Sequence, residues 1–282
     1  MRFFSKSVGP RVGLALSGGS ALGIAHIGVL RAFQESGIAI DCISGTSAGS
    51  VAAACLAFGV PVEAMLDRAK SLQWRALSKP AYSRMGWAST AGIGALIESS
   101  IGSVNIEDAK IPLAIVATDI ESGKPVVFRE GSLSRAVMAS CCIPGYFAPV
   151  AHEGKLLVDG GVVENLPVSP LLTMGAELTI GVTLLSKRAF KKPRHVLDVM
   201  LNTMSIMTNV QTEAHGARAG IVIEPDVEDF SSGDFSRAEE LVAAGYRAAL
   251  AMMPTIQETL RVRRRSRGEK LLRRWLPLAF SK

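Results

Sequence analysis

An apolar run from Ile38 to Ile43 and an alanine-rich run from Val51 to Leu56 are joined by Gly45-Thr46-Ser47-Ala48-Gly49. A serine wedged between a strand and a helix sits on a sharp turn, where glycines two residues to either side avoid the clashes that side chains would make. The strained turn pushes the hydroxyl out of the backbone and into a cleft. The helix that follows aims free N–H groups and the positive end of its dipole at the same spot. Ser47 therefore reads as a nucleophile on a strand-to-helix crossover.

The remainder of the chain repeats that alternation. Val12 to Leu16 reads as a buried strand, Ser17-Gly18-Gly19-Ser20 as a tight loop, and Ala21 to Gln34 as a helix stopped by Gly37. Pro61 opens a helix that runs through Leu72. Trp74 to Thr90 is irregular; its aromatics suggest a lid or lipid-facing loop, or a packed connector. Pro112 to Thr118 and Val126 to Arg129 read as strands, and Leu133 to Cys142 as a helix ended by Pro144-Gly145. Phe147 to His152 and Lys155 to Val158 form a hairpin turned at Glu153-Gly154. Pro167 to Met174 is a short helix and Leu178 to Leu185 a buried strand. Val196 to Gln211 is a helix whose Met200, Met204 and Met207 have the spacing of core packing. Ile221 to Glu224 is a late strand, and Ser236 to Leu260 a long helix bent near Pro254. Strands separated by helices predict an α/β fold of three layers, with a mostly parallel central sheet and helices on both faces.

Composition narrows the class. The chain has 282 residues, 48% hydrophobic and 20% charged, enough for a sizeable core and unlike a disordered chain. Cys42, Cys55, Cys141 and Cys142 lie in apolar surroundings with no regular spacing, which predicts a reduced, cytoplasmic setting. Met1 to Phe4 is followed by Lys6 and Arg11 with no apolar stretch long enough for a signal peptide, and no apolar run approaches a membrane span. The net charge of +6 is uneven: residues 261–282 hold nine lysines and arginines against Glu269 alone, leaving the rest at −2. A near-neutral body argues against nucleic-acid binding.

A serine hydrolase needs an activated hydroxyl, a base and donors for the developing oxyanion. Gly18, Gly19 and Ser20, leading to Gly23, form a turn of small residues whose N–H groups can converge on an anion. A dinucleotide fingerprint would want glycine in place of Ser20, with Asp41 as its acid, and a P-loop would want lysine in place of Ile24. For the base, His26 falls inside a helix, His152 at a hairpin turn, and His195 and His215 flank a helix. Asp159-Gly160-Gly161 follows a strand, where parallel-sheet sites collect, and reads equally as a base or as an Asp-Gly turn.

The segments Leu14 to Gly23 and Ala25 to Leu30 resemble the opening of bacterial patatin-like phospholipases. Gly45 to Gly49 resembles that family's nucleophile motif and Asp159 to Gly161 its second catalytic motif. Ala117-Thr118-Asp119, Ser140 to Pro149 and Asn165-Leu166-Pro167 add further matches in the same order. The resemblance implies a lipid acyl hydrolase with a Ser47–Asp159 dyad and no histidine. Gly18, Gly19 and Ser20 would hold the oxyanion, supported by Gly23, Gly45, Gly49, Gly160 and Gly161. It implies no cofactor and no metal, and a phospholipid or lysophospholipid ester as substrate. Two departures stand out: Ser20 replaces a usual glycine, and Leu22 a usual basic residue. With an ordinary backbone conformation Ser20 can still donate its N–H. A catalytically weakened lipid-binding protein and a Ser-His-Asp esterase are the competing readings.

The expected organisation is a catalytic domain over residues 1–260 and a basic tail over 261–282. In the tail Leu271, Leu272, Trp275, Leu276, Leu278 and Phe280 interleave with cations, which suits either an anionic membrane surface or a solvated end. The sequence is silent on oligomeric state.

Overall fold

The computed structural model describes residues 9–184 and 192–275, and the Met1 to Phe4 reading, Leu185 and Leu276 to Lys282 lie outside them. Strand β1 (Val12–Leu16) leads through a 3₁₀ turn (Ser20–Ile24) into α1 (Ala25–Glu35). Next come β2 (Cys42–Thr46), α2 (Ala48–Phe58), α3 (Val62–Ser71) and the single turn α4 (Trp74–Leu77). A two-stranded ribbon of β3 (Lys79–Pro80) and β4 (Ala88–Ser89) precedes α5 (Ala91–Ile101). The middle of the chain supplies β5 (Leu113–Asp119), β6 (Lys124–Phe128), α6 (Leu133–Ser140), β7 (Val150–His152) and β8 (Lys155–Asp159). It ends with α7 (Val168–Thr173), β9 (Leu178–Val182), α8 (Val196–Gly216), β10 (Ile221–Ile223) and α9 (Ala238–Trp275).

Apart from that ribbon, the strands form one eight-stranded sheet in the order β10-β9-β1-β2-β5-β8-β7, with β6 also paired to β5. The β10, β9, β1, β2 and β5 neighbours are parallel, while β6, β7 and β8 pair antiparallel. Alternation along β1 assigns the two faces. Leu14 and Leu16 join the larger core with Ile43 and Ile115, beneath residues of α1, α2 and α9. Ala15, Cys42 and Ala114 face Leu171 of α7 in the smaller one. Two glycines let α1 and α9 cross closely: a Cβ on Gly28 would strike the Val242 carbonyl, and one on Gly245 the Ala25 carbonyl. All four cysteines are free and buried.

Several local expectations need correction. The second strand starts at Cys42 rather than Ile38, because its parallel register with β1 begins at Gly13↔Cys42. Helix α5 has no counterpart in the sequence reading, since Gly92 and Gly94 weaken a helix signal. Both glycines are contact points: a Cβ on Gly92 would meet the Ala76 carbonyl, and one on Gly94 would meet Met138 Sδ at 2.6 Å. The segment from Trp74 to Thr90 divides in two. Trp74 stacks edge-on against Phe235 and donates its indole N–H to the Gly233 carbonyl at 3.0 Å, a packed connector. Tyr82, Met85 and Trp87 are exposed. Helix α9 continues past Pro254 and past residue 260 to Trp275. The methionine spacing in α8 is not core packing: Met200 and Met207 are exposed, and Thr212 is the only fully buried residue among those described in that helix.

Candidate active site

Sheet topology brings Ser47 and Asp159 together. One edge of β5 pairs with β6 along Ile115 to Asp119. The other edge must therefore carry both β2, ending with Thr46↔Val116, and β8, whose Asp159 pairs with Ala117. The two strands run in opposite directions and end on adjacent residues of β5. The residue after Thr46 and the last residue of β8 thus meet in a notch where parallel pairing gives way to antiparallel pairing.

Ser47 has φ 51° and ψ −127°, in the left-handed range that β-carbon sterics disfavour. Strain of this kind costs about 1–3 kcal/mol and is held by its surroundings. Ser140 is one holder: its hydroxyl accepts the Ser47 N–H at 2.8 Å and donates to the Val116 carbonyl at 2.6 Å. The flanking glycines are required by approach distance, as the motif suggests. A Cβ on Gly45 would lie 2.6 Å from Ser50 Cα, and one on Gly49 would lie 2.6 Å from the Ser17 carbonyl oxygen. A Cβ on Gly23 would strike Ala48 Cβ.

Asp159 is 2% exposed. Its Oδ1 accepts the Gly161 N–H at 2.8 Å, and the Ser47 hydroxyl beside the carboxylate favours its charged form. Burial pushes its pKa up to about 6, against the opposing pull of the Ser47 hydroxyl and the Gly161 N–H. The Asp159 carbonyl accepts the Thr118 hydroxyl at 2.9 Å, fixing the strand end. Gly160 must be glycine because a Cβ there would strike the Val116 carbonyl. Cys141, beside Ser47, has its thiol pushed upward by burial and by the Asp159 charge, which keeps it a neutral spectator.

In the glycine loop the Gly18 N–H is taken up by the Asn165 carbonyl at 3.3 Å. For the Gly19 and Ser20 N–H groups, no acceptor occurs among the described residues. Ser20 is not in an ordinary conformation: its φ is 52°, positive like that of Ser47. It therefore occupies the conformation that glycine would adopt at lower cost. The loop closes over Ser47, since a Cβ on Gly18 would lie 3.0 Å from Ser47 Cβ and 2.6 Å from Asn165 Oδ1. Asn165, which the sequence shows as part of a motif without a role, braces this loop while its Nδ2 donates to Thr212 at 2.9 Å.

The competing assignments find no geometry. Asp41 accepts the Val12 N–H at 2.8 Å, at the end of β1 opposite the glycine loop, so it cannot serve a ligand held there. His26 is fully buried with Nε2 2.8 Å from the Ser17 carbonyl, and desolvation drives its pKa down to about 4. It is a neutral support beneath the loop. His152 stacks on Phe128, while His195 and His215 sit at the two ends of α8. None of the four histidines lines the cavity beside Ser47.

That cavity, of about 220 Å³, has Ser47, Ser20 and Cys141 among its walls and is otherwise largely apolar. Ala52, Cys55, Met65, Ala69, Ile93 and Leu96 line it, with Arg68 and Ser100 also in its walls. Small side chains on α2 and α3 leave the space, and α5, absent from the sequence reading, supplies a wall.

The sequence signature of patatin-like phospholipases matches residues 14–172. An uncharacterized NTE family protein of Mycobacterium tuberculosis is 41% identical over 185 residues, covering 63% of this chain and 50% of that protein. The lysophospholipase NTE1 of Mycosarcoma maydis is 29% identical over 284 residues, covering 89% of this chain and 15% of that protein. The chain thus spans about half the length, or less, of the curated relatives it matches. Among solved structures, VipD from Legionella pneumophila superposes with a TM-score of 0.51 at 13% identity, covering 88% of this chain and 67% of that one. The type III effector ExoU superposes with a TM-score of 0.50 at 17% identity, covering 85% and 52%. Both likenesses concern the fold.

Proposed function

This chain belongs to the patatin-like phospholipase family, and from that premise we propose that it is a serine hydrolase of lipid acyl esters working through a Ser47–Asp159 dyad. The observation that carries the reading is the Ser47 hydroxyl, held on a strained turn, set beside the buried Asp159 carboxylate by the shared edge of β5 and facing an apolar cavity. Ser47 Oγ attacks the acyl carbonyl carbon as its proton passes to Asp159. The tetrahedral oxyanion is held by the Gly19 and Ser20 N–H groups, with the first turn of α2 adding its dipole. As the intermediate collapses, Asp159 returns the proton to the leaving alcohol. Water then attacks the acyl-enzyme by the same route in reverse, with Asp159 again the base.

An ordinary aspartate is a weak base for a serine hydroxyl. A pKa near 6 strengthens it while leaving it ionised at neutral pH, which supports the proposed role. Gly18 is not assigned as an oxyanion donor, since its N–H is engaged by Asn165. The apolar cavity suits an acyl chain, and the fungal relatives named lysophospholipases favour a phospholipid or lysophospholipid ester. No helix among the described residues is long and apolar enough to cross a membrane.

The boundary after residue 260 stays a proposal, as does contact of residues 261–282 with an anionic surface. Arg263 donates to the Glu177 carbonyl, which puts the start of that segment at the end of the sheet opposite Ser47.

The test is hydrolysis of p-nitrophenyl acyl esters by wild type, Ser47→Ala and Asp159→Asn. Loss of turnover in both variants is the expected pattern, with turnover kept when any of the four histidines is replaced by alanine in a protein that still folds. Equal rates in all three proteins would overturn the enzymatic reading in favour of a lipid-binding protein. Loss on replacing a single histidine, in a folded protein, would favour a Ser-His-Asp esterase.

A further inference from the structure

Helix α8 is amphipathic in the wrong sense for a helix packed on a core. At 100° per residue, Val196, Val199, Ile206, Met207 and Val210 fall on one stripe, and all five are exposed, Val210 by 65%. The inward side is polar. Gln211 Nε2 donates to the Val162 carbonyl at 2.7 Å, Thr212 accepts from Asn165 at 2.9 Å, and a Cβ on Gly161 would lie 3.4 Å from Thr208 Cγ2. The helix is thus fastened across the Asp159-Gly160-Gly161 turn by hydrogen bonds, with its apolar side turned to solvent.

A second exposed apolar group abuts the same place. Met200 of α8 fills the position a Cβ on Gly145 would take. The carbonyl of the next residue, Tyr146, accepts the Trp87 N–H at 2.9 Å. Trp87 is 78% exposed, and Tyr82 and Met85 are exposed on the same ribbon turn. Cations border both groups: Lys79 and Arg84 on the ribbon, Lys192 and Arg194 before α8, all exposed. Lys187, Arg188 and Lys191 stand in the sequence just before them. An exposed apolar stripe with lysine and arginine before its N-terminal end, and a neighbouring ribbon turn carrying tryptophan, lysine and arginine, have the chemistry of a lipid–water interface bearing anionic headgroups.

We propose that the outer stripe of α8 and the Tyr82–Trp87 turn together form a docking face for an anionic lipid bilayer, seated over the turn that carries Asp159. The proposal rests on the lipid-ester reading for its purpose but not for its physical basis. It also orients the molecule: the face lies on the catalytic side, whereas Arg263 of the basic tail is held at the opposite end of the sheet.

The full chain is tested by co-sedimentation with vesicles of phosphatidylcholine mixed with phosphatidylglycerol, and by tryptophan emission. Wild type should bind, with a blue shift that is lost in Trp87→Phe. Val199→Asp/Ile206→Asp/Val210→Asp should bind on the order of tenfold or more weakly. This variant should keep the melting temperature and the turnover of a soluble short-chain ester. Vesicle binding unchanged by the triple substitution, or absent in wild type, would overturn the proposal. So would a dimer in light scattering that the triple substitution dissociates, because the face would then belong to a second copy. Absence of turnover of the soluble ester by wild type would defeat the catalytic reading alone, and vesicle binding would still decide the docking face.

Discussion

Replacing Asp159 with asparagine should abolish turnover and make the protein more stable. The carboxylate is 2% exposed and its pKa is lifted from 3.8 to about 6 by burial. Each unit is worth 1.36 kcal/mol, so holding Asp159 ionised in the fold costs about 3 kcal/mol at neutral pH. The sign follows from proton uptake. Below about pH 4 the carboxyl is protonated in both folded and unfolded chains, and the substitution gains nothing. Between about pH 4 and pH 6 the unfolded chain has released its proton while the folded chain keeps it, so wild-type stability falls as pH rises. Above pH 6 the deficit is complete. Asparagine keeps an oxygen for the Gly161 N–H and cannot ionise. Thermal melts of wild type and Asp159→Asn should therefore coincide near pH 4 and separate by roughly 5–10 °C at pH 7, with the variant higher. Activity supplies the opposite arm: wild-type kcat/KM should rise with pH through about 6 and then level. A variant that melts below wild type at pH 7, or a separation independent of pH, would refute the assignment of Asp159 as a buried, strained base.

Ser140→Ala leaves the Ser47 N–H and the Val116 carbonyl without their shared partner. Chemical denaturation should show a loss of about 2 kcal/mol, with a fall in kcat larger than any change in KM. Ser20→Gly should relieve its positive φ and raise stability by about 1 kcal/mol, read as a higher melting temperature with activity kept or increased. Ala52→Phe places a ring in the cavity, so kcat/KM should drop by about fourfold per excluded methylene across a chain-length series, sparing short esters.

The fold and the site are legible in the sequence where the signal is steric, and less so where it is orientational. The turn at Ser47 is readable because a strand, a helix and two glycines leave one solution, and the close approaches at Gly45 and Gly49 are the ones that solution needs. Asp159 is ambiguous from its local residues, since an Asp-Gly turn has many uses. What singles it out is the shared edge of β5, a long-range pairing that no short segment contains. The same limit explains Ser140 and Asn165, whose roles exist only across distant contacts. For α8 the period predicts a helix correctly, yet periodicity gives an apolar stripe without saying which way it points. Its spacing matches a core helix, but the stripe faces outward because polar contacts to Val162 and Asn165 claim the inner side. At Ser20 the residue type suggests an ordinary backbone, whereas the loop imposes the glycine conformation upon it.

The claim on which the rest depends is that Ser47 is an activated nucleophile. Labelling the full chain with a fluorophosphonate and mapping the adduct by mass spectrometry tests it most directly. One adduct on Ser47, absent in Ser47→Ala and slowed by orders of magnitude in Asp159→Asn, is the predicted result. An adduct on another residue, or labelling that persists at the wild-type rate in Ser47→Ala, would contradict it.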